Sequence, residues 1–177
     1  MIFLEESIFF LQNWGTIEKL LMSEKNFRKE FGEFLYSMDK ILLNKDWWST
    51  DLVFNKQDMT QVYISKTNWL IDDGYSIWIG VERFKPEALF GSDTPAQCYL
   101  WAMGEKKNRI RDDLLQILKS HDEFKDHLVT SGGYVLKKLL RKYTEEEYEE
   151  FISGSSLNEI VEFFGKVYLS IKNYEIR

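Results

Sequence analysis

The chain carries one cysteine, two histidines and two prolines in 177 residues, and each scarcity removes a class of protein. A lone Cys98 cannot build an internal disulfide framework or a cysteine-based zinc site. It lies in the apolar run Cys98-Tyr-Leu-Trp-Ala-Met103, where a small buried side chain is the expected role. His121 and His127 are six residues apart and so do not share a helix face; the spacing predicts surface histidines after a helix end. No serine sits in a nucleophile elbow, and no glycine pattern matches a phosphate-binding loop. With so little proline, long structured linkers are not expected.

Long hydrophobic runs are missing too. None approaches the ~20 apolar residues that a helix needs to span a bilayer. The opening stretch Met1 to Leu11 is apolar, but Glu5 and Glu6 interrupt it. It also lacks the basic start and small-residue cleavage site of a signal peptide, so a cytoplasmic protein is expected. Positive charge is the minority, with 23 basic against 29 acidic residues and a net charge of −6. A protein that binds nucleic acid as its main partner normally offers a basic stripe to phosphates. The overall balance therefore favours a basic protein partner over nucleic acid.

What the chain has in abundance is aromatic side chains, 16% of all residues, including six tryptophans. With 44% hydrophobic residues over this length, one well-buried core is expected, and so a single domain over residues 1–177. Residues 1–46 read as helical, 52–104 as sheet-rich and 105–177 as mainly helical. In the first third, Gly15 and Ser23 mark expected helix boundaries. Phe27, Phe31, Phe34, Leu35, Met38, Ile41 and Leu42 then recur at three- and four-residue steps as one apolar stripe.

From Leu52 the period changes to two. Strands are predicted over Leu52 to Asn55, Gln61 to Ser65, Tyr75 to Phe84 and Gln97 to Met103. In the third of these, Ile77, Ile79 and Val81 share one face, while Trp78, Glu82 and Phe84 fall on the other. Asp72-Asp73-Gly74 is a turn signal that would pair Trp69 to Ile71 with the strand starting at Tyr75. A helix is expected from Glu105 to Ser120. Residues 134–143 suit a strand, although their apolar spacing also fits a helix. Thr144 with Glu147, and Ser156 with Glu159, have capping-box spacing ahead of two further helices. The fold expected is α+β, a central antiparallel sheet over about 52–104, with 134–142 as a further strand, covered by N- and C-terminal helices.

Two kinds of constellation bear on function. Asp93, followed across a strand by Glu105-Lys106-Lys107, resembles the signature of the PD-(D/E)xK nuclease superfamily. That resemblance implies Asp93 and Glu105 as ligands of Mg2+ and Lys107 as the residue that positions or activates the attacking water. In that family the Glu-x-Lys lies within a strand around an apolar residue. Here Lys106 stands between them and a helical pattern follows, so the same residues also read as a helix start. A second version, using Asp72 or Asp73 with Glu82 and Lys85, fails because residues three apart on a strand face opposite sides.

The other constellation is a set of binding groups. Trp47 and Trp48 sit at the break before the sheet, and Lys137, Lys138 and Arg141 form a basic group just before the acidic run Glu145-Glu146-Glu147. Surplus tryptophan marks interfaces when it is exposed, and the acidic run offers the basic group an internal partner. The function expected is a macromolecular binding protein of inhibitor, immunity or adaptor type, without catalytic residues or a cofactor. Its partner is another protein of basic character, or a second copy of the chain. A Mg2+-dependent nuclease or its inactive relative is the alternative.

Overall fold

The computed structural model describes residues 9–10, 12–71, 74–129 and 132–176. Its centre is an antiparallel sheet of five strands in the order β1-β2-β5-β6-β7. These are β1 (Leu52–Asp58), β2 (Gln61–Lys66), β5 (Ile77–Glu82), β6 (Gln97–Ala102) and β7 (Tyr134–Leu139). A separate ribbon of β3 (Leu70–Ile71) and β4 (Gly74–Tyr75) interrupts the path from β2 to β5. Its pairs, Leu70 with Tyr75 and Ile71 with Gly74, are those expected around the Asp72-Asp73-Gly74 turn. Asp72 and Asp73 themselves lie outside the described residues. The β1–β2 turn is fixed by Asp58, whose carboxylate accepts from the Thr60 amide and hydroxyl at 2.7 and 2.8 Å.

Helices supply the second layer. They are α1 (Trp14–Tyr36), α2 (Met38–Leu42), α3 (Pro86–Leu89), α4 (Lys107–Leu118), α5 (Tyr148–Ile152) and α6 (Ser155–Ile171). The period-two apolar set forms one sheet face: Val62, Ile64, Ile77, Ile79, Val81, Cys98, Leu100 and Leu136 are all wholly buried. Every buried apolar helix residue belongs to the same cluster, with α6 giving Leu157, Ile160, Val161, Phe164, Val167 and Ile171. This clustering follows from helices whose apolar residues recur at three- and four-residue steps and so share one stripe. Fixing the sheet between two such termini yields the single α+β core expected.

Four local expectations are corrected. The break expected at Gly15 falls at Asn13, a turn residue that precedes α1, and no helix restarts at Ser23, which α1 runs through. Gly15 stands second in α1, and the Leu, Lys, Glu and Met residues that follow it favour helix. The apolar stripe breaks instead at Ser37, whose hydroxyl donates to the Phe34 carbonyl at 2.7 Å before α2 begins. Phe84 is not on the Trp78 face. Arg83 adopts φ +58°, which swings the chain so that Phe84 is buried against Phe31, Phe34 and Phe151.

The fourth concerns the caps. Thr144 and Glu147 form the expected contact, the Glu147 carboxylate accepting from the Thr144 amide at 2.8 Å. Ser156 caps nothing. Gly154, at φ +92°, takes the N-cap position of α6 and puts Ser156 inside the helix, buried with its hydroxyl unpartnered. Residues 134–139 resolve the helix–strand ambiguity as strand, because β7 pairs along β6 from Gln97–Leu139 to Trp101–Tyr134, with one bulge between Leu100 and Trp101.

Candidate functional site

The nuclease-like residues do not come together. Asp93 precedes the start of β6 and Glu105 follows its end, so a six-residue strand of about 20 Å separates them. Asp93 is bonded to Lys85 at 2.7 Å, and that contact holds its carboxyl below the usual range. Glu105 is exposed in the turn before α4, and Lys107 is the first residue of that helix. Among the described residues, no group of three or more His, Cys, Asp or Glu side chains is arranged to hold a metal ion. Glu82 pairs with Arg83 at 3.8 Å.

The expected binding residues are mostly occupied internally. Trp47 is half-buried, its ring 6.1 Å from Trp48 and 6.0 Å from Tyr168. It lies on Gly165 of α6 so closely that a Cβ there would meet the indole. Lys138 pairs with Glu159 at 2.8 Å, and Arg141 pairs with Glu147 and Glu150. Arg141 is thus balanced by the acidic segment that follows it, and Lys138 by Glu159 of α6. Lys137 differs: its ammonium stands 3.5 Å over the ring of Tyr134, on the sheet face opposite the core.

That opposite face carries the structure's second cluster. Where the core-face residues alternate, their neighbours point the other way, and several of them are aromatic. Register places Tyr63, Gly80, Tyr99 and Lys137 in one row across four strands, and Trp78, Trp101 and Tyr134 in the next. Tyr63 stacks on Trp78 at 4.1 Å and 5°, and Trp101 meets Tyr134 at 4.2 Å. Tyr99 stands edge-on to both Trp101 and Tyr134, at 6.1 and 6.0 Å. None of these five rings belongs to the hydrophobic core cluster. Such pairs contribute about 0.5–1.5 kcal/mol each beyond area burial.

Glycine makes the surface flat. Gly80 lies in β5, the middle strand, and a Cβ there would sit 2.5 Å from the Tyr99 ring end and hydroxyl. Tyr99 thus lies across bare backbone and is wholly buried. Its hydroxyl accepts from the Gln61 side-chain amide at 2.9 Å. Burial raises the Tyr99 pKa above the ordinary tyrosine value. Gly133 gives Trp101 the same closeness on the next row.

Glu82 is the acidic member of this face, as Lys137 is its basic one. Its Oε1 accepts from the Gln97 side-chain amide at 2.5 Å and from the Tyr134 hydroxyl at 2.9 Å. Burial, followed by that bond to Glu82, raises the Tyr134 pKa above its ordinary value. Beside them a groove of about 290 Å³ is lined by Trp78, Trp101, Tyr134, Met103 and Glu82, with Gln57 and Gln61 at its border. Two aromatic rows and one carboxylate suit a cationic or planar group, since ring faces attract cations and the carboxylate adds charge. The only thiol, Cys98, is on the core face, where burial keeps it protonated. A second hollow, lined by Phe124, His127 and Phe163, is bordered by the ion pairs Lys138–Glu159 and Lys166–Glu123, which already satisfy their charges.

Sequence reasoning passed over Tyr63, Tyr99, Trp101, Tyr134, Gln61 and Gln97. The signal was present: in β2, β5 and β6 the non-core parity carries Tyr63, Trp78, Tyr99 and Trp101 among its polar residues, at least one aromatic ring in each strand. Compared with models of protein families, with curated proteins and with solved structures, the chain matches none.

Proposed function

We propose that this protein is a macromolecular binding protein that docks a basic segment of a protein partner on the aromatic face of its sheet. The observation that carries it is the second aromatic cluster, built on the face that the core does not use. A half-buried surface of tryptophan and tyrosine is what interface centres are made of. Glu82 beside the groove and the net charge of −6 give that surface its preference for positive charge. The same acidity weighs against single-stranded nucleic acid, which also stacks on aromatic sheets but needs basic side chains along its backbone. The reading keeps the cytoplasmic location expected from the sequence.

The test is capture from host lysate with four baits: the wild type, Glu82→Gln, Trp101→Ala and Trp47→Ala. Support requires one stoichiometric protein of basic composition, retained by the wild type and Trp47→Ala and lost by both face variants. Equal retention on all four baits contradicts the proposal, and recovery of single-stranded nucleic acid on the wild type replaces it with a nucleic-acid function.

A further inference from the structure

The groove on the aromatic face holds hydrogen-bonding capacity that the fold does not use. Glu82 engages one carboxylate oxygen only: Oε1 takes the Gln97 amide, the Tyr134 hydroxyl and, at 3.8 Å, the Arg83 guanidinium. Its Oε2 carries no bond among the described residues and is not buried. Gln61 is in the same position. Its side-chain nitrogen donates to the Tyr99 hydroxyl at 2.9 Å, which leaves Oε1 unbonded among the described residues. Both residues line the groove. They stand opposite each other on β2 and β5, one step beyond the Val62–Val81 pair, so their Cβ atoms are about 5 Å apart.

Two acceptors at that separation, beside two indoles, distinguish between cations. The Trp78 ring leans toward Tyr63 of β2 and the Trp101 ring toward Tyr134 of β7, and both indoles border the groove. A lysine ammonium is a compact, strongly hydrated charge that must give up water to reach a ring. A guanidinium is flat, more weakly hydrated and carries donors along its edges. It can therefore stack on an indole while bonding acceptors from two neighbouring strands. The chain already contains such an arrangement: Arg141 stands 4.3 Å over the Tyr143 ring while its two terminal nitrogens bond Glu147 and Glu150. Local charge leaves the choice to shape. Arg83 beside Glu82 and Lys137 over Tyr134 offset part of the carboxylate's attraction, so charge alone separates one cation from another only weakly.

From this geometry we infer that the groove is an arginine subsite: it takes one guanidinium of the incoming segment, stacked on the indoles of Trp78 and Trp101 and bonded to Glu82 Oε2 and Gln61 Oε1. The inference rests on the docking of a basic segment proposed for this face, and it adds the residue type that the face selects.

Arg-Gly and Lys-Gly repeat peptides of equal length and charge, titrated into the purified full chain and followed by tryptophan fluorescence, test this. Gln61→Ala is measured beside the wild type, and circular dichroism with a urea titration checks that it remains folded. The arginine peptide should bind the wild type at least about tenfold tighter than the lysine peptide. Gln61→Ala should cut that ratio to about threefold or less, by weakening the arginine peptide and leaving the lysine peptide unchanged. Equal affinities for the wild type overturn the arginine subsite and leave the docking of basic segments standing, a comparison that does not depend on the variant. A ratio that Gln61→Ala preserves overturns the subsite too. Failure of both peptides to bind removes the docking of basic segments and the subsite together.

Discussion

Replacing Gly80 by Ala should dismantle the aromatic face from its centre. The new Cβ would point away from the core, 2.5 Å from the Tyr99 ring end and 2.9 Å from the Tyr63 Cβ. The backbone cannot retreat, because β5 is hydrogen-bonded to β2 on one side and β6 on the other. The Tyr99 ring must therefore lift, and its bond from Gln61 breaks. Overpacking a filled site costs about 1–3 kcal/mol, and the lost hydrogen bond adds about 1 kcal/mol. Restricting the unfolded chain with Ala returns about 0.5–1 kcal/mol. The net loss is about 1–3.5 kcal/mol, or roughly a 0.5–1.8 M fall in urea midpoint for a slope near 2 kcal/mol/M. Urea titration followed by tryptophan fluorescence measures it, and the slope should stay unchanged. In a Tyr99→Ala background the penalty should shrink, because the two positions share one space. A neutral or stabilising Gly80→Ala, or one whose cost is the same without the Tyr99 ring, would refute this packing.

Other outcomes follow from the same geometry. Tyr99 and Tyr134 have raised folded pKa values, chiefly from burial, so their neutral forms contribute stability that is complete below the unfolded value near 10. That stability is lost as pH rises from there through the folded values. Ultraviolet titration should show these two of the nine tyrosines ionising late, with Tyr36, also raised by burial, and Gly80→Ala should bring Tyr99 forward. At the acid end, Asp51 is held below the usual carboxylate value by the Ser49 hydroxyl and then by Lys66. Its contribution is present above the unfolded value and lost as pH falls through the folded one, and Ser49→Ala should move the acid limb of a stability–pH curve upward. Gly15→Ala meets nothing within 4 Å inside α1 and should stabilise the helix by about 0.5–1 kcal/mol, seen as a higher thermal midpoint. Lys138 and Glu159 are each about one-third exposed. A double-mutant cycle on that pair should give a coupling of no more than about 1 kcal/mol, falling with salt.

The core was legible in the sequence because period reports directly on burial. Ile77, Ile79 and Val81 alternate as a strand face must, and the α6 stripe repeats at helical steps. What escaped depends on single backbone torsions or on register. The positive φ of Arg83 reversed the face of Phe84, and Gly154 displaced Ser156 from the cap. The aromatic face needed register as well as parity, since Tyr63, Trp78, Tyr99 and Tyr134 come from four strands that pair only in three dimensions. Trp47 looked like a binding residue because sequence shows its size but not Gly165, the distant position that receives it. The basic group at 137–141 divided in the same way. Lys138 and Arg141 found carboxylates on the helical side, while alternation sent Lys137 to the aromatic face.

The central claim is that the aromatic face with Glu82 receives a basic protein segment. Its most direct test is a tryptophan-fluorescence titration of the purified chain with a short arginine- and lysine-rich peptide, with a single-stranded oligonucleotide as competitor probe. The account predicts saturable peptide binding that weakens with salt, falls at least about tenfold in both Glu82→Gln and Trp101→Ala, and is untouched in Trp47→Ala. Peptide binding that ignores both face substitutions, or saturable binding of the oligonucleotide in its place, would contradict it.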